Sequence, residues 1–121
     1  MRIAIPVNED SQKTDICPSF GRAPFFMIKN TETNEYHFLI NDAAESAGGA
    51  GIKAAQLLLN EKIDAVITPR CGENSAKVLQ DADVKIFKSQ GSIATQNYDL
   101  YEKGQLSPLT DIHAGFHGHG G

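Results

Sequence analysis

The sequence predicts an α/β protein, a five-stranded mixed sheet packed between helices as an α/β/α sandwich. Three observations carry this expectation. Ile3, Ile5 and Val7 alternate with Arg2, Ala4 and Pro6, the two-residue period of a strand. After Asn41 the apolar period becomes helical. From there to Lys103 short apolar runs alternate with amphipathic stretches, an order that demands right-handed crossovers and mainly parallel strands.

Each element has its own signal. Residues 8–23 are polar with Gly and Pro, and read as a long loop after the first strand. Residues 24–29 read as a second strand, 30–34 as turn chemistry, and Tyr36 to Ile40 as a third strand closing a hairpin. Ile52, Ala55, Leu58 and Leu59 mark an amphipathic helix from near Gly49 to near Lys62. Ala65-Val66-Ile67 is a short apolar run, as in a buried parallel strand. Residues 74–81 read as a second helix with Ala76 and Leu79 inward, and Val84 to Phe87 as a fifth strand. Residues 91–103 read as a third helix with Ile93, Ala94, Leu100 and Tyr101 on one side. The domain is expected over 1–107. Residues 108–121 form a Gly- and His-rich tail, expected to be mobile. No internal repeat is visible.

A chain of 121 residues with 40% hydrophobic residues suits one domain with a real core. Eleven basic and 15 acidic residues give a net charge of −4, which disfavours a sequence-independent nucleic-acid binder. No stacking platform for bases is visible. Met1-Arg2 leads into too short an apolar run for a signal peptide or membrane span, so the cytoplasm is the expected location. Two cysteines do not make a disulfide scaffold, and both are expected to be reduced.

Those cysteines hold the chemistry. Cys17 opens Cys17-Pro18-Ser19-Phe20-Gly21-Arg22, and Cys71 sits in Thr68-Pro69-Arg70-Cys71-Gly72-Glu73-Asn74. A loop thiol beside Arg can become a thiolate, and thiolates hold soft metals and iron–sulfur clusters. In open α/β sheets ligands bind beyond the carboxyl ends of parallel strands, where both loops are expected to open. Helix starts at Gly72–Asn74 and at 89–92 share that edge and suit an anion. Arg22 and Arg70 add neutralising charge. Gly49, within Ala47-Gly48-Gly49-Ala50-Gly51, permits close approach, although the segment lacks the Lys-Ser/Thr of a P-loop.

Each residue also has a plain structural explanation. A lone Cys is more often a small core residue, the glycines can serve only a turn, and the arginines can pair with surface carboxylates. There is no CxxC, so spacing alone is a weak metal signal. His113, His117 and His119 lie at i, i+4 and i+6 in the tail, either a metal-capturing set or a solvated segment without a fixed role. His37 is expected on a strand.

Several segments together resemble the dinitrogenase iron–molybdenum cofactor biosynthesis family. They are residues 1–7 (Met-Arg-Ile-Ala-Ile-Pro-Val), Phe20-Gly21-Arg22-Ala23-Pro24-Phe25-Phe26, Gly48-Gly49-Ala50-Gly51, Cys71-Gly72-Glu73-Asn74-Ser75 and the short His/Gly tail. The resemblance covers roughly residues 1–105. It implies a ribonuclease-H-like fold and binding of an iron–sulfur or molybdenum-containing metal–sulfur cluster or its precursor, rather than turnover. Some members resemble an orange protein that holds a molybdenum–copper–sulfide cluster. Many members lack a Cys at positions 17 and 71, so that pair belongs to this chain. A nuclease reading fails, because the first strand carries no carboxylate for a two-metal site.

The leading expectation is therefore a small cytoplasmic carrier or scaffold, not an enzyme, that exchanges a cluster with donor and acceptor proteins. Cys17 and Cys71 would supply thiolates, with Arg22, Arg70 and the N–H groups of residues 72–74 neutralising charge. The alternative is a cofactor-free regulatory module that binds a protein through the hairpin edge or the tail. A thiol enzyme using Cys71 is a third reading, weakened because His37, the one imidazole outside the tail, lies on a strand.

Overall fold

A computed structural model describes residues 1–110. Five strands, β1 (Arg2–Val7), β2 (Phe25–Asn30), β3 (Glu35–Ile40), β4 (Ala65–Thr68) and β5 (Lys85–Lys88), form one sheet in the order β3-β2-β1-β4-β5. β1–β2 and β2–β3 pair antiparallel, while β1–β4 and β4–β5 pair parallel. The mixed five-stranded sheet is thus as expected. The helices are α1 (Ala50–Asn60), α2 (Glu73–Asp81) and α3 (Ala94–Glu102).

The side-chain period of the central strands separates two cores. Ala4, Phe26, Ile28 and Val66 face α1 and α2, meeting Ala54, Ala55, Leu58, Ala76 and Leu79. Ile3, Ile5, Met27 and Ile67 face α3, meeting Ala94 and Tyr98. Leu58 is fully buried, worth about 1.5–3 kcal/mol of apolar transfer. Tyr98 is also fully buried, and its hydroxyl donates to the Met27 carbonyl at 2.7 Å. A phenol in that interior needs such a partner.

The helix faces differ in detail from the sequence pattern. On α1 the buried stripe is Ala50, Gly51, Ala54, Ala55 and Leu58, while Ile52 and Leu59 are half-buried. Small residues win this face because the backbone packs close. On α3 the expected Ile93 is exposed as the residue before the helix, and Asn97 and Tyr98 are buried. Asn97 is held there by polar partners, the Gln90 N–H and the carbonyls of Gln90 and Ile93.

Two segments expected to be irregular are ordered. The first is the loop after β1. Val7 bridges Ile16, Asp15 bridges Ile93, and the Cys17 N–H donates to the Pro6 carbonyl at 2.8 Å. Pro6 explains the arrangement. The β1–β4 register covers only Ile3 and Ala4, so at Pro6 that side of β1 needs an acceptor and no donor, which a proline can supply inside a sheet. The second is the chain end. The Lys88 N–H donates to Ser107, the Leu109 N–H donates to Ile86, and Pro108 bridges Phe87. Leu106 and Leu109 are buried in opposite cores. Residues 108 and 109, expected in the tail, thus lie in a strap that covers the outer edge of β5. Gly and Pro nearby masked its two leucines. His113, His117 and His119 lie outside the described residues.

Candidate functional site at the carboxyl rim of the sheet

β1, β4 and β5 run parallel, so Val7, Thr68 and Lys88 end at one edge. β3 also ends there, at Ile40, and α1, α2 and α3 all begin there. None of these three helices has a side-chain cap on its first turn. The first N–H groups of α1 and α2 have no side-chain partner, whereas on α3 the Ala94 N–H donates to the Thr14 carbonyl at 3.4 Å; all three dipoles aim positive ends at the rim. The main expectation from the sequence was that the Cys17 and Cys71 loops open together on this edge, beside the helix starts at 72–74 and 89–92.

The Phe20–Pro24 segment shapes the rim. Gly21 lies against the first turn of α1: a Cβ there would sit 2.7 Å from the Gly51 nitrogen and 2.8 Å from its Cα. Asn41, buried, donates to the Gly21 and Ala23 carbonyls and accepts from the Ala43 N–H. It thereby starts a short 3-10 helix, Asp42–Glu45, that no apolar period foretold. Asn41 is the site residue missed at the sequence level, its signal being a cap-forming Asn ahead of two small residues. Arg22 donates from one nitrogen to the Ala44 and Ser46 carbonyls, at 2.9 and 2.8 Å. It serves first as a strut between this loop and the approach to α1. Its charge remains at the exposed edge.

Gly49 precedes α1 with a φ of 67°, in the left-handed region that favours glycine. Gly48 is exposed, and a Cβ there would meet nothing within 4 Å. The fold places no demand on Gly48, so open space borders the start of α1. Gly72, buried, precedes α2, and Asn74 is exposed on its first turn. Arg70 is exposed and joins no ion pair among the described residues.

The two thiols differ from the expected thiolate pair. Cys71 is fully buried in the α1–α2 core, and burial pushes its thiol from 9.0 up to about 12. At neutral pH it is a neutral core side chain. Cys17 is buried to 9% exposure at the seam where β1 and β4 part, its Sγ 3.7 Å from the Ser19 carbonyl. Both are free. Among the described residues no group of three or more His, Cys, Asp or Glu side chains could hold a metal ion. The rim also carries the exposed carboxylates Glu9, Asp10, Asp15, Asp42, Glu45 and Glu73. Positive potential is therefore local to the helix starts and to Arg22, Arg70 and Lys88. His37 lies within β3, between its two ends, and not in the rim loops.

Residues 1–104 match the model of the dinitrogenase iron–molybdenum cofactor family. The chain belongs to that family. The apo form of the orange protein from Desulfovibrio gigas superposes with a TM-score of 0.85 at 26% identity, covering 90% of this chain and 92% of that one. A putative NifB protein from Thermotoga superposes with a TM-score of 0.80 at 28% identity, covering 92% and 95%. An uncharacterized protein of Methanocaldococcus jannaschii is 26% identical over 109 residues, 88% of this chain and 89% of the relative. Family membership and these neighbours point to a role related to metallocofactors. No helix among the described residues is long and apolar enough to cross a membrane.

Proposed function

We propose that the chain is a carrier or scaffold that binds an anionic metal–sulfur cluster or its precursor at the carboxyl rim, as cargo and without turnover. The convergence of three helix starts without side-chain caps on one sheet edge is the observation that carries this reading. Membership of the dinitrogenase iron–molybdenum cofactor family supports it. A neutral, buried Cys71 and the small donor set favour cargo that brings its own sulfide ligands, such as a thiomolybdate-containing species. Backbone N–H groups and Arg70 would neutralise it, and Cys17 at the seam is the thiol better placed to touch it. Cys71 would support the α2 start by packing. Donor and acceptor proteins would exchange the cargo at this open edge. The order β3-β2-β1-β4-β5, with β2 alone reversed against its two neighbours, fits a ribonuclease-H-like architecture.

The test is anaerobic incubation with iron, sulfide and molybdate, or with tetrathiomolybdate alone, followed by desalting. Coloured protein with retained molybdenum is expected. Cys71→Ala is expected to load as wild type does, and Cys17→Ser to load less. Metal-free protein in every case, together with a co-purifying protein partner, would favour the cofactor-free module instead.

A further inference from the structure

The two edges of the sheet are treated differently. The β5 edge is covered by the strap at residues 107–109, whereas nothing among the described residues pairs with the outer edge of β3. The hydrogen-bond phase of β3 follows from its neighbours. The Asn41 N–H donates to Pro24, so residues 39, 37 and 35 exchange bonds with β2. The Thr31 N–H donation to Met1 gives the same phase from the other side of β2. Tyr36, Phe38 and Ile40 therefore turn their backbone N–H and C=O groups outward. The strand holds six consecutive pairs with β2, without a bulge, and contains no Pro or Lys. Ile40 is 64% exposed. Natural edges usually carry a device against pairing, and here the one charged residue is Glu35 at the start of the strand, leaving Tyr36 to Ile40 without one.

We infer that the β3 edge is a pairing surface for a second copy of this chain. An antiparallel partner related by a twofold axis at Phe38 places Tyr36 opposite Ile40, Phe38 opposite Phe38 and Ile40 opposite Tyr36. All three outward-facing residues are then matched at once, and the aromatic ring of Tyr36 covers the exposed Ile40. Glu35 falls opposite Asn41 and Asn34 opposite Asp42, so no like charges meet. A twofold axis one residue earlier would leave Ile40 opposite Asn34. The sheet becomes continuous across ten strands. The two rims point to opposite ends, so each protomer keeps its own open rim and no cargo is shared. The proposal does not depend on the cluster-binding reading.

The full chain should be examined by sedimentation up to about 1 mM, the range in which a weak edge contact is populated, with amide exchange measured in parallel. A reversible dimer is expected. The Tyr36, Phe38 and Ile40 amides should slow as the dimer forms, while residues 35, 37 and 39 stay unchanged. Ile40→Lys should raise the dimer Kd roughly tenfold or more and leave thermal unfolding of the dilute protein unaltered. A monomer at every concentration would overturn the proposal. So would a dimer protected at another element, or concentration-independent protection of β3 that disappears when residues 111–121 are removed.

Discussion

Cys71 decides how the residue scale is read. A cysteine in a Pro-Arg-Cys-Gly loop looks reactive in sequence, yet its neighbours in space are hydrocarbon. Its burial could not be read from residues 68–74, because the core cluster it joins draws Ala4, Phe20 and Leu58 from distant parts of the chain. Its raised pKa has a measurable consequence. Below about pH 9 the thiol is neutral in both native and unfolded chains and adds no pH dependence. Between 9.0 and about 12 the unfolded chain loses this proton and the native chain keeps it. Stability should then fall by about 1.4 kcal/mol per pH unit from this group. Urea unfolding of wild type and Cys71→Ala across that range checks it: the variant is expected to be less stable at pH 7 and to show the shallower alkaline decline. Glycines give a second contrast. Gly21→Ala should cost about 1–3 kcal/mol, because its Cβ meets the Gly51 backbone rather than a flexible side chain. Gly48→Ala, facing open space, should stay within about 0.5 kcal/mol. Chemical denaturation of the two variants reads the difference.

At the element scale, strands and helices were legible because their apolar periods are local. What was not legible were pairings made by irregular chain. The loop after β1 is ordered by bonds to Pro6 and Ser92, and Pro6 was the visible sign that β1 loses β4 as a partner at that level. The short helix after Asn41 depends on a side chain that also holds the Gly21 loop, a contact no period records. The strap was hidden because Pro108 and the residues after it read as tail. Its burial predicts that Leu109→Ala costs about 2–5 kcal/mol, the loss of a buried leucine. A urea midpoint equal to that of wild type would show residue 109 to be unbound after all.

For the whole molecule, topology produces the site. Two crossovers, β3–α1–β4 and β4–α2–β5, and the connection from β5 into α3 bring the starts of α1, α2 and α3 to the edge where β1, β3, β4 and β5 end. The location of the candidate site was therefore legible from element order alone. Its chemistry was not, because exposure and protonation of the thiols depend on packing. The rim is a set of backbone donors braced by Gly21, Arg22 and Asn41, with acidic side chains around it that limit its attraction to close range. Such a site favours a compact anion over a bare metal cation. An anaerobic titration of the isotope-labelled full chain with tetrathiomolybdate, followed by backbone amide spectra, tests this most directly. Saturable shifts are expected at the first turns of α1, α2 and α3 and at residues 15–22, persisting in Cys71→Ala. Shifts confined to other surfaces, or none at saturating thiomolybdate, would contradict an anion-binding rim.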